Sequence, residues 1–236
     1  MRIKNVMLFC YDFPHKKTQD FIFRLLTEGY NINYIIAAPW VRLNIPESLH
    51  RVAPHNEGLI YAKKICKSFG IPYYVLDHNS NEAVKLIKNN TVDLCIVAGA
   101  RILKKDVIEA AGNKILNIHP GILPNVRGLD TLLWSIYYDE PIGISAHFIS
   151  PRIDLGLLIY KEKLELKKDD TLIDISLRLL EKQPDIMIKS MEILKKKKMS
   201  DLKNINTLTQ PYNTKMSSAI EEKMLKEFPR WLTRHL

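Results

Sequence analysis

Glycine is scarce in this chain, and its spacing excludes two common nucleotide-binding motifs. Only nine of the 236 residues are glycine, and no two of them are closer than seven residues. A dinucleotide fingerprint requires glycines two and three residues apart, and a phosphate-binding loop requires a pair five apart that is followed by lysine. The sequence therefore excludes NAD(P) binding through the first motif and nucleoside triphosphate hydrolysis through the second.

Cysteines and long apolar runs are also few. The three cysteines, Cys10, Cys66 and Cys95, lie among apolar residues and form no Cys-x-x-Cys pair, so we predict buried thiols in a reducing compartment. The longest apolar stretches, at 6–11 and 94–98, are far too short to span a membrane. The N-terminus has no signal peptide with a small-residue cleavage site. These features predict a cytoplasmic protein with no membrane partner.

The formal net charge of +9 lies mostly near the C-terminus. Residues 195–236 carry ten Lys and Arg against four Asp and Glu, and they include the lysine run at 195–198. A solvated helix end explains this run better than a nucleic-acid patch does. Lysines also outnumber arginines, whereas bidentate recognition of phosphates and bases favours arginine. We therefore predict no nucleic-acid partner, and an anionic small substrate stays open.

Apolar, β-branched segments alternate with segments of helical period over the first half of the chain. This alternation predicts βαβ units and an α/β fold with a mostly parallel sheet flanked by helices. The segment 92–98 is apolar on both faces after Asp93, as expected of a central strand. The predicted strands are 6–11, 32–38, 72–76, 92–98 and 115–118, and the predicted helices are 18–28, 57–69, 81–88 and 105–111.

The second half is richer in loops. Residues 142–149 alternate as a strand, and 157–166 indicate a further strand that is antiparallel or at an edge. Thr171 and Asp174 are spaced as a capping box at the start of a long helix, in which Pro184 predicts a kink or break. We expect a domain over 1–198 and a short C-terminal extension over 199–236, extended through Pro211 and then helical from about Ser217 to Phe228.

The densest group of chemically active residues is Asn117-Ile118-His119-Pro120-Gly121. If Asn117 and His119 end a strand, their spacing places both side chains on one face. Pro120 cannot donate to a sheet, so it would end the pairing there. Ligands of open α/β sheets bind at the carboxyl ends of the strands. An amide donor beside an imidazole is therefore a candidate pair for oxyanion stabilisation and acid–base catalysis, although a surface turn explains the spacing equally well.

A second loop adds a carboxylate. Asp154 follows the predicted strand 142–149 within Ser150-Pro151-Arg152-Ile153-Asp154-Leu155-Gly156. This loop would bring Asp154 against His119. Amide, imidazole and carboxylate are the groups required to move a one-carbon acyl group onto an amine.

At this point the sequence resembles the folate-dependent formyltransferase family. The family pattern is an Asn-x-His-Pro stretch, a Leu-Pro-x-x-Arg-Gly loop, a Gly-Val-x-x-His strand and an Asp-x-Gly loop. The corresponding segments here are NIHPGILPNVRG at 117–128, GISAH at 143–147 and RIDLG at 152–156, in the same order and at similar spacing. One departure is Gly121, where many members have serine after His-Pro.

The resemblance implies transfer of the formyl group of 10-formyltetrahydrofolate, the donor, to a primary amine. Asn117 would then bind the developing oxyanion. His119 would act as general acid or base and stabilise the oxyanion when protonated. Asp154 would orient His119 or a water and accept the amine proton.

The resemblance also implies a folate cleft bordered by 100–103 and by the loop 149–154. Much of the pterin recognition in this family comes from backbone groups, and Ile102 and Leu103 are equally consistent with ordinary core positions. The residues placed at the folate on this basis are Ala100, Arg101, Ile102, Leu103, Ile149 and Ile153.

The acceptor is inferred by elimination. Glycinamide ribonucleotide formyltransferases carry a glycine- and serine-rich loop after the first strand, but residues 10–17 contain no glycine. Methionyl-tRNA formyltransferases carry a separate C-terminal barrel, and formyltetrahydrofolate deformylases an N-terminal regulatory domain, neither of which we expect here. The chain then most resembles the N-formyltransferases of dTDP- or GDP-linked amino deoxy sugars, in which a short C-terminal extension helps to form a homodimer.

Other side chains offer weaker signals. Arg127 and Gly128 are candidate substrate-binding residues, although an arginine in a loop is more often a surface ion pair. Tyr212, Trp40 and Trp231 are candidates to stack on the base of a nucleotide. Each of these aromatic residues is more typical of the protein core or of a dimer interface. We interpret His147 as a hydrogen-bonded structural group. The remaining histidines are scattered without ligand spacing, so we predict no metal site.

Three alternatives remain from sequence. In the first alternative, the acceptor is another amine such as glycinamide ribonucleotide. In the second, water replaces the amine and formate is released. A protein without catalysis, binding folate, nucleotide or RNA, is disfavoured by the complete Asn117, His119 and Asp154 set and by the excess of lysine over arginine.

Overall fold

The computed structural model describes residues 2–50, 58–205 and 212–236. These residues form strands, helices and one short 3₁₀ turn over Met199–Asp201. The strands are β1 (Asn5–Tyr11), β2 (Asn31–Ala38), β3 (Tyr73–Val75), β4 (Leu94–Val97), β5 (Ile115–His119), β6 (Gly143–Ile149), β7 (Gly156–Lys163) and β8 (Lys203–Asn204). The helices are α1 (Lys16–Thr27), α2 (Ala62–Phe69), α3 (Asn81–Asn89), α4 (Lys105–Ala110), α5 (Thr131–Tyr137), α6 (Leu172–Lys196) and α7 (Ser218–His235).

All eight strands belong to one sheet, in the order β3-β2-β1-β4-β5-β6-β7-β8. The pairs from β3 to β5 are parallel, and those from β5 to β8 are antiparallel. The predicted α/β class and the mostly parallel first half are confirmed. The parallel strands are connected through helices, which is why their apolar residues occur on both faces.

Two apolar layers cover the two faces of the sheet. In β4, Leu94 and Ile96 join the larger layer, which includes residues of α1, α5, α6 and α7, while Cys95 joins the smaller layer with residues of α3 and α4. The prediction of a central strand here is therefore confirmed. All three cysteines are buried free thiols, as predicted.

Helix α6 begins at the predicted capping box, where the Thr171 hydroxyl accepts from the backbone of Asp174 and the Asp174 carboxylate accepts from that of Thr171. Such a cap contributes about 1 kcal/mol. Of the kink or break predicted at Pro184, the break is wrong because the helix continues to Lys196, and the kink stays a prediction. An internal proline costs about 3 kcal/mol, whereas burying Ile186 and Met187 beside it contributes about 1.5–3 kcal/mol each.

Helix α2 and strand β7 differ from their predicted bounds. Helix α2 begins at Ala62, not at 57, since the N–H of Ile60 donates to the side chain of Gln19; residue 57 itself lies outside the described residues. Strand β7 ends not at 166 but at Lys163, which pairs with Gly143, the first residue of β6. It is antiparallel to β6, which confirms one of the two predicted alternatives, and it is not an edge strand because β8 pairs with its other side.

The C-terminal extension is more structured than predicted. Over 199–205 it forms the 3₁₀ turn and β8 where an extended segment was expected, and 206–211 lie outside the described residues. Helix α7 continues past Phe228 to His235, because Trp231 is fully buried and stacks against both Phe228 and His235. Trp40 is 66% exposed and is therefore not a core residue, while its alternative place in a dimer interface stays a prediction.

None of the helices within the described ranges is long and apolar enough to cross a lipid bilayer.

Candidate functional site

Asn117 and His119 lie at the carboxyl end of β5, as the sequence predicts. They face the same side of the sheet, opposite His147 and Ser145 of β6. Alternation along β5 directs Leu116 and Ile118 to the other face, where they join the larger apolar layer. The strand ends at His119, immediately before Pro120, so both functional side chains remain at the edge of the sheet.

The His119 imidazole is buried, with 4% of the residue exposed. Its Nε2 lies 2.9 Å from the carbonyl oxygen of Val126. A carbonyl only accepts, so Nε2 carries the proton in this contact. The second ring nitrogen, Nδ1, faces Asp154 Oδ1 at 3.5 Å. One side of the ring is therefore held by backbone, and the other faces a carboxylate.

Gly121 provides the space for this ring position. A Cβ built on Gly121 would lie 2.8 Å from His119 Nε2 and 3.0 Å from the Val126 oxygen. The glycine that departs from the family pattern therefore permits the contact between His119 and Val126.

Asp154 approaches from the loop between β6 and β7. Its backbone has φ of 50°, in the left-handed region that aspartate tolerates better than most residues. Its Oδ2 accepts the backbone N–H of Gly128 at 2.7 Å, while Oδ1 faces His119 and lies 3.9 Å from His147 Nε2. The predicted approach of this carboxylate to the imidazole is confirmed.

His147 is hydrogen-bonded, as predicted, and its partner is Asn117. The Asn117 Nδ2 lies 3.3 Å from His147 Nε2. Burial lowers the pKa of His147 to about 4, and repulsion between the His147 and His119 imidazoles acts in the same direction. His147 is therefore neutral near pH 7 and accepts one N–H of the amide. The other N–H of Asn117 is left for a further acceptor.

Lys17 is a site residue that sequence reasoning missed. Its Nζ donates to the carbonyl of Ile118, between the two candidate catalytic residues, at 2.8 Å. Burial lowers the pKa of Lys17 to about 7, although the charge of Asp154 opposes this shift. The sequence signal for Lys17 was its position in the first turn of the helix that follows a parallel strand. Helices begin there at the carboxyl edge of the sheet, where ligands bind.

The segment between β1 and α1 is filled by aromatic rings. Tyr11 stacks on Phe13 at 4.9 Å and contacts His15 edge-on at 5.3 Å. Burial lowers the pKa of His15 to about 4, and its Nδ1 lies 2.9 Å from the Thr18 hydroxyl. A Cβ at Gly99 would lie 2.9 Å from the ring of Tyr11. Aromatic packing therefore fills the turn between β1 and α1, which contains no glycine.

The residues predicted to border a folate cleft separate into two groups. Ala100, Leu103 and Ile149 belong to the smaller apolar layer, on the same face as Asn117, and Leu103 is a buried core residue. Ile102 is 62% exposed, and Arg101 donates from Nη2 to the carbonyl of Pro39 at 2.6 Å.

The loop around Asp154 is held by Arg127, which is 8% exposed. Its Nε and Nη2 donate to the carbonyl of Ile153 at 3.1 and 2.8 Å. Arg127 is therefore buried and not on the surface as expected, and two of its nitrogens bind a backbone carbonyl next to Asp154.

Gly128 and Tyr212 lie where the C-terminal extension meets this loop. Gly128 has φ of 91° and forms a parallel bridge with Asn213, whose carbonyl oxygen lies 2.0 Å from a Cβ built on the glycine. The side chain of Tyr212, the residue before Asn213, is 47% exposed. The structure thus gives Gly128 a contact with the protein's own backbone and leaves Tyr212 accessible.

Together these residues provide the groups that acyl transfer requires. A fixed amide donor, a buried imidazole and a carboxylate held by backbone meet at one edge of the sheet. Such a set stabilises a developing oxyanion and moves a proton to or from the reacting group.

Comparisons with known proteins agree with this chemistry. The chain is 29% identical over 145 residues to a methionyl-tRNA formyltransferase of Fusobacterium nucleatum, which covers 59% of this chain and 47% of that protein. The chain spans about half the length of the first curated relatives it matches.

Solved structures share the fold at lower identity. A glycinamide ribonucleotide transformylase of Symbiobacterium toebii has a TM-score of 0.62 at 19% identity, covering 80% of this chain and 86% of that one. A sugar N-formyltransferase of a Shewanella species has a TM-score of 0.62 at 16% identity, covering 96% and 88%.

A family model described as formyl transferase matches residues 63–191, which include Asn117, His119 and Asp154. This match covers more than half of the sequence, and the chain therefore belongs to the formyl transferase family.

Proposed function

We propose that this protein is an N-formyltransferase that moves the formyl group of 10-formyltetrahydrofolate to the amine of a dTDP- or GDP-linked amino deoxy sugar. The observation that carries the proposal is the approach of Asp154 to His119 at the end of β5, with Asn117 on the same face. 10-Formyltetrahydrofolate is the donor of this family.

The reaction begins when the neutral amine attacks the formyl carbon and forms a tetrahedral intermediate. Asn117 stabilises its oxyanion through the N–H that His147 does not use, and the positive charge of protonated His119 adds electrostatic stabilisation. Asp154 accepts the proton of the amine, directly or through water. The bond between the formyl carbon and N10 of the folate then breaks while protonated His119 gives its proton to N10, so that tetrahydrofolate and the formylated amine leave. Asp154 returns the proton it took to His119, which faces it at 3.5 Å.

The folate is proposed to bind along the smaller apolar layer. Ala100, Leu103 and Ile149 already line this face of the sheet, and exposed Ile102 is available to an incoming ring. Arg101 would contribute its backbone, since its guanidinium already donates to Pro39. Ile153 would contribute its backbone N–H, since its carbonyl already accepts from Arg127. The pterin would thus be held beside Asn117 and His119.

The choice of a nucleotide sugar is supported by the packing after β1. Tyr11, Phe13 and His15 pack against one another in the turn after β1, where the resemblance puts the phosphate-cradling loop of glycinamide ribonucleotide formyltransferases, and this supports an acceptor other than glycinamide ribonucleotide. In this proposal, 1–198 carry the catalytic residues and 199–236 contribute Tyr212 for a nucleotide base. Arg127 and Gly128 would affect substrate binding indirectly, because they position the loop that carries Asp154. The homodimer stays a prediction.

A coupled assay tests the proposal. Purified protein is incubated with 10-formyltetrahydrofolate and, separately, dTDP-amino sugars, GDP-amino sugars, glycinamide ribonucleotide or no amine. Folate product and the mass gain of one formyl group on the acceptor are both measured. We expect the acceptor mass to rise by one formyl group with a nucleotide sugar and with no other acceptor. Gain on glycinamide ribonucleotide, or formate release without an amine, would contradict the proposed acceptor in favour of the corresponding alternative.

A further inference from the structure

The segment 213–216 of the C-terminal extension lies along residues 127–130, which lead into α5, and we call it the C-terminal strap. The backbone N–H of Asn213 donates to the carbonyl of Arg127 at 2.9 Å. The N–H of Leu129 donates to the carbonyl of Asn213, also at 2.9 Å. These two bonds flank Gly128 and form its parallel bridge with Asn213. The backbone on both sides of Gly128 is therefore held by the extension.

One planar peptide group connects the strap to Asp154. The carbonyl of Arg127 and the N–H of Gly128 belong to the same trans peptide unit, so they point in opposite directions. The carbonyl accepts from Asn213, and the N–H donates to Asp154 Oδ2 at 2.7 Å. With Oδ2 held in this way, Oδ1 faces His119 Nδ1 at 3.5 Å. Loss of the Asn213 bond would free this peptide unit to rotate, and the carboxylate would rotate with it.

Two aromatic side chains anchor the strap, one from α5 and one from the residue that follows it. The indole N–H of Trp134 donates to the carbonyl of Thr214 at 2.9 Å, and the hydroxyl of Tyr138 donates to Asn213 Oδ1 at 3.0 Å. The rings of Trp134 and Tyr138 stack on each other at 5.3 Å. Because Trp134 is buried, its N–H would lose its acceptor if the strap moved away, which is unfavourable.

Asp130 also binds the strap. It lies at the N-terminus of α5 with φ of 49°, where the carboxylate of an aspartate ordinarily accepts an N–H group of the first helical turn. Instead, Oδ2 accepts the backbone N–H of Met216 at 2.9 Å, and Oδ1 accepts from Lys215 Nζ at 2.8 Å. Both carboxylate oxygens therefore fix the strap in place of capping the helix.

We propose that the C-terminal strap is a positioning element for Asp154, and that Asn213 is its central residue. The inference rests on the proposed function, because it takes Asp154 as the proton acceptor of that reaction. Asn213 acts through the peptide unit between Arg127 and Gly128 and not on a substrate. Loss of its pairing turns Oδ1 away from His119 and slows proton transfer from the amine. The proposed folate face is not altered, so kcat falls while KM for 10-formyltetrahydrofolate stays the same.

A proline at position 213 tests this pairing, since Asn213→Pro removes the N–H that the Arg127 carbonyl accepts. Ser218→Pro is the matched control: it also places a proline in the extension, but at the first position of α7, which tolerates proline. We expect Asn213→Pro to lower kcat about tenfold or more, since small displacements of catalytic groups are costly. KM for 10-formyltetrahydrofolate should stay within about twofold, as should both constants of the control.

A double-mutant cycle separates positioning from a merely structural effect. If Asn213 acts through the Asp154 carboxylate, Asn213→Pro should change kcat by less than about twofold in an Asp154→Asn background. A further tenfold loss in that background would overturn the inference. Trp134→Phe combined with Tyr138→Phe removes two anchors and keeps the backbone N–H groups. This second variant decides the question if Asn213→Pro does not fold, and we expect it to lower kcat about threefold or more.

An NMR measurement separates this inference from the proposed function, because it needs no acceptor. The nitrogen chemical shifts of the His119 imidazole report the partner that its Nδ1 faces. They should change in Asn213→Pro and in the Trp134→Phe, Tyr138→Phe double variant, and stay as in wild type in Ser218→Pro. Unaltered shifts in both test variants overturn the inference, whatever their activity.

The two proposals then fail in different ways. If the wild type formylates a nucleotide sugar and the test variants keep its kcat, the strap has no positioning role and the proposed function stands. If the wild type formylates no nucleotide sugar, the proposed acceptor is wrong, and the His119 shifts alone decide whether the strap positions Asp154.

Discussion

Asp154 uses its two carboxylate oxygens for different partners: Oδ2 accepts the backbone N–H of Gly128 at 2.7 Å, and Oδ1 faces the imidazole of His119 at 3.5 Å. Gly128 is itself paired with Asn213. The orientation of the candidate catalytic carboxylate therefore depends on the C-terminal extension as well as on its own loop.

Replacing Asp154 by asparagine should lower kcat by about 10²–10⁴-fold, the usual contribution of a general acid or base. Asparagine retains an oxygen for the N–H of Gly128 and tolerates the left-handed backbone, so the thermal unfolding temperature should change little. Exposed Asp169→Asn is the matched control, with unchanged kcat expected. Full activity of Asp154→Asn would contradict its role as proton acceptor.

Replacing Lys17 by methionine should lower kcat by about ten- to a hundredfold, equivalent to about 1.5–3 kcal/mol for a charged hydrogen bond. The contact with the Ile118 carbonyl is lost, and with it a cation near Asp154. Lys63→Met, exposed on α2, is the control for loss of a positive charge. Equal kcat in the two variants would show that Lys17 has no part in the site.

The same variant also tests the shifted pKa. Since the pKa of Lys17 is about 7 in the folded state against 10.5 for an ordinary lysine, the unfolded chain binds more protons between these values. Stability should therefore rise with pH over this window in the wild type relative to Lys17→Met. Urea unfolding at several pH values measures this difference, and a constant difference would contradict the shift.

Replacing Gly121 by alanine should displace the His119 ring, because the new Cβ would lie 2.8 Å from Nε2. A misplacement of about 1 Å can cost about a hundredfold in rate, so we expect a fall of that order in kcat. Nitrogen chemical shifts of the His119 imidazole should change in parallel. Unaltered shifts together with unaltered kcat would show that the ring does not require a glycine here.

Replacing His147 by glutamine should flatten the acid side of the stability profile. The pKa of His147 is about 4 in the folded state and 6.5 in an ordinary histidine, so the unfolded chain binds more protons between these values. Wild-type stability should thus fall as pH decreases from 6.5 towards 4, and less so in the variant. The free energy of unfolding by urea measures this, and the pH range above 6.5 is the internal control. Parallel profiles would contradict a neutral, buried His147.

Local patterns in the sequence determined much of the fold and part of the site. Alternating segments indicated the parallel half of the sheet, and Thr171 with Asp174 determined the start of α6. The spacing of Asn117 and His119 placed both on one face, because side chains alternate along any strand. The motif around Asp154 further indicated which distant loop supplies the carboxylate.

Only the tertiary structure decided the contacts between distant segments and the protonation of buried groups. Lys17 meets Ile118 across 101 positions of sequence, and Asn213 closes on Gly128. Helix α6 passes through Pro184 because burial on either side outweighs the local cost. The lowered pKa values of Lys17 and His147 likewise follow from loss of water. Burial depends on how the whole chain packs, and a local pattern carries no measure of it.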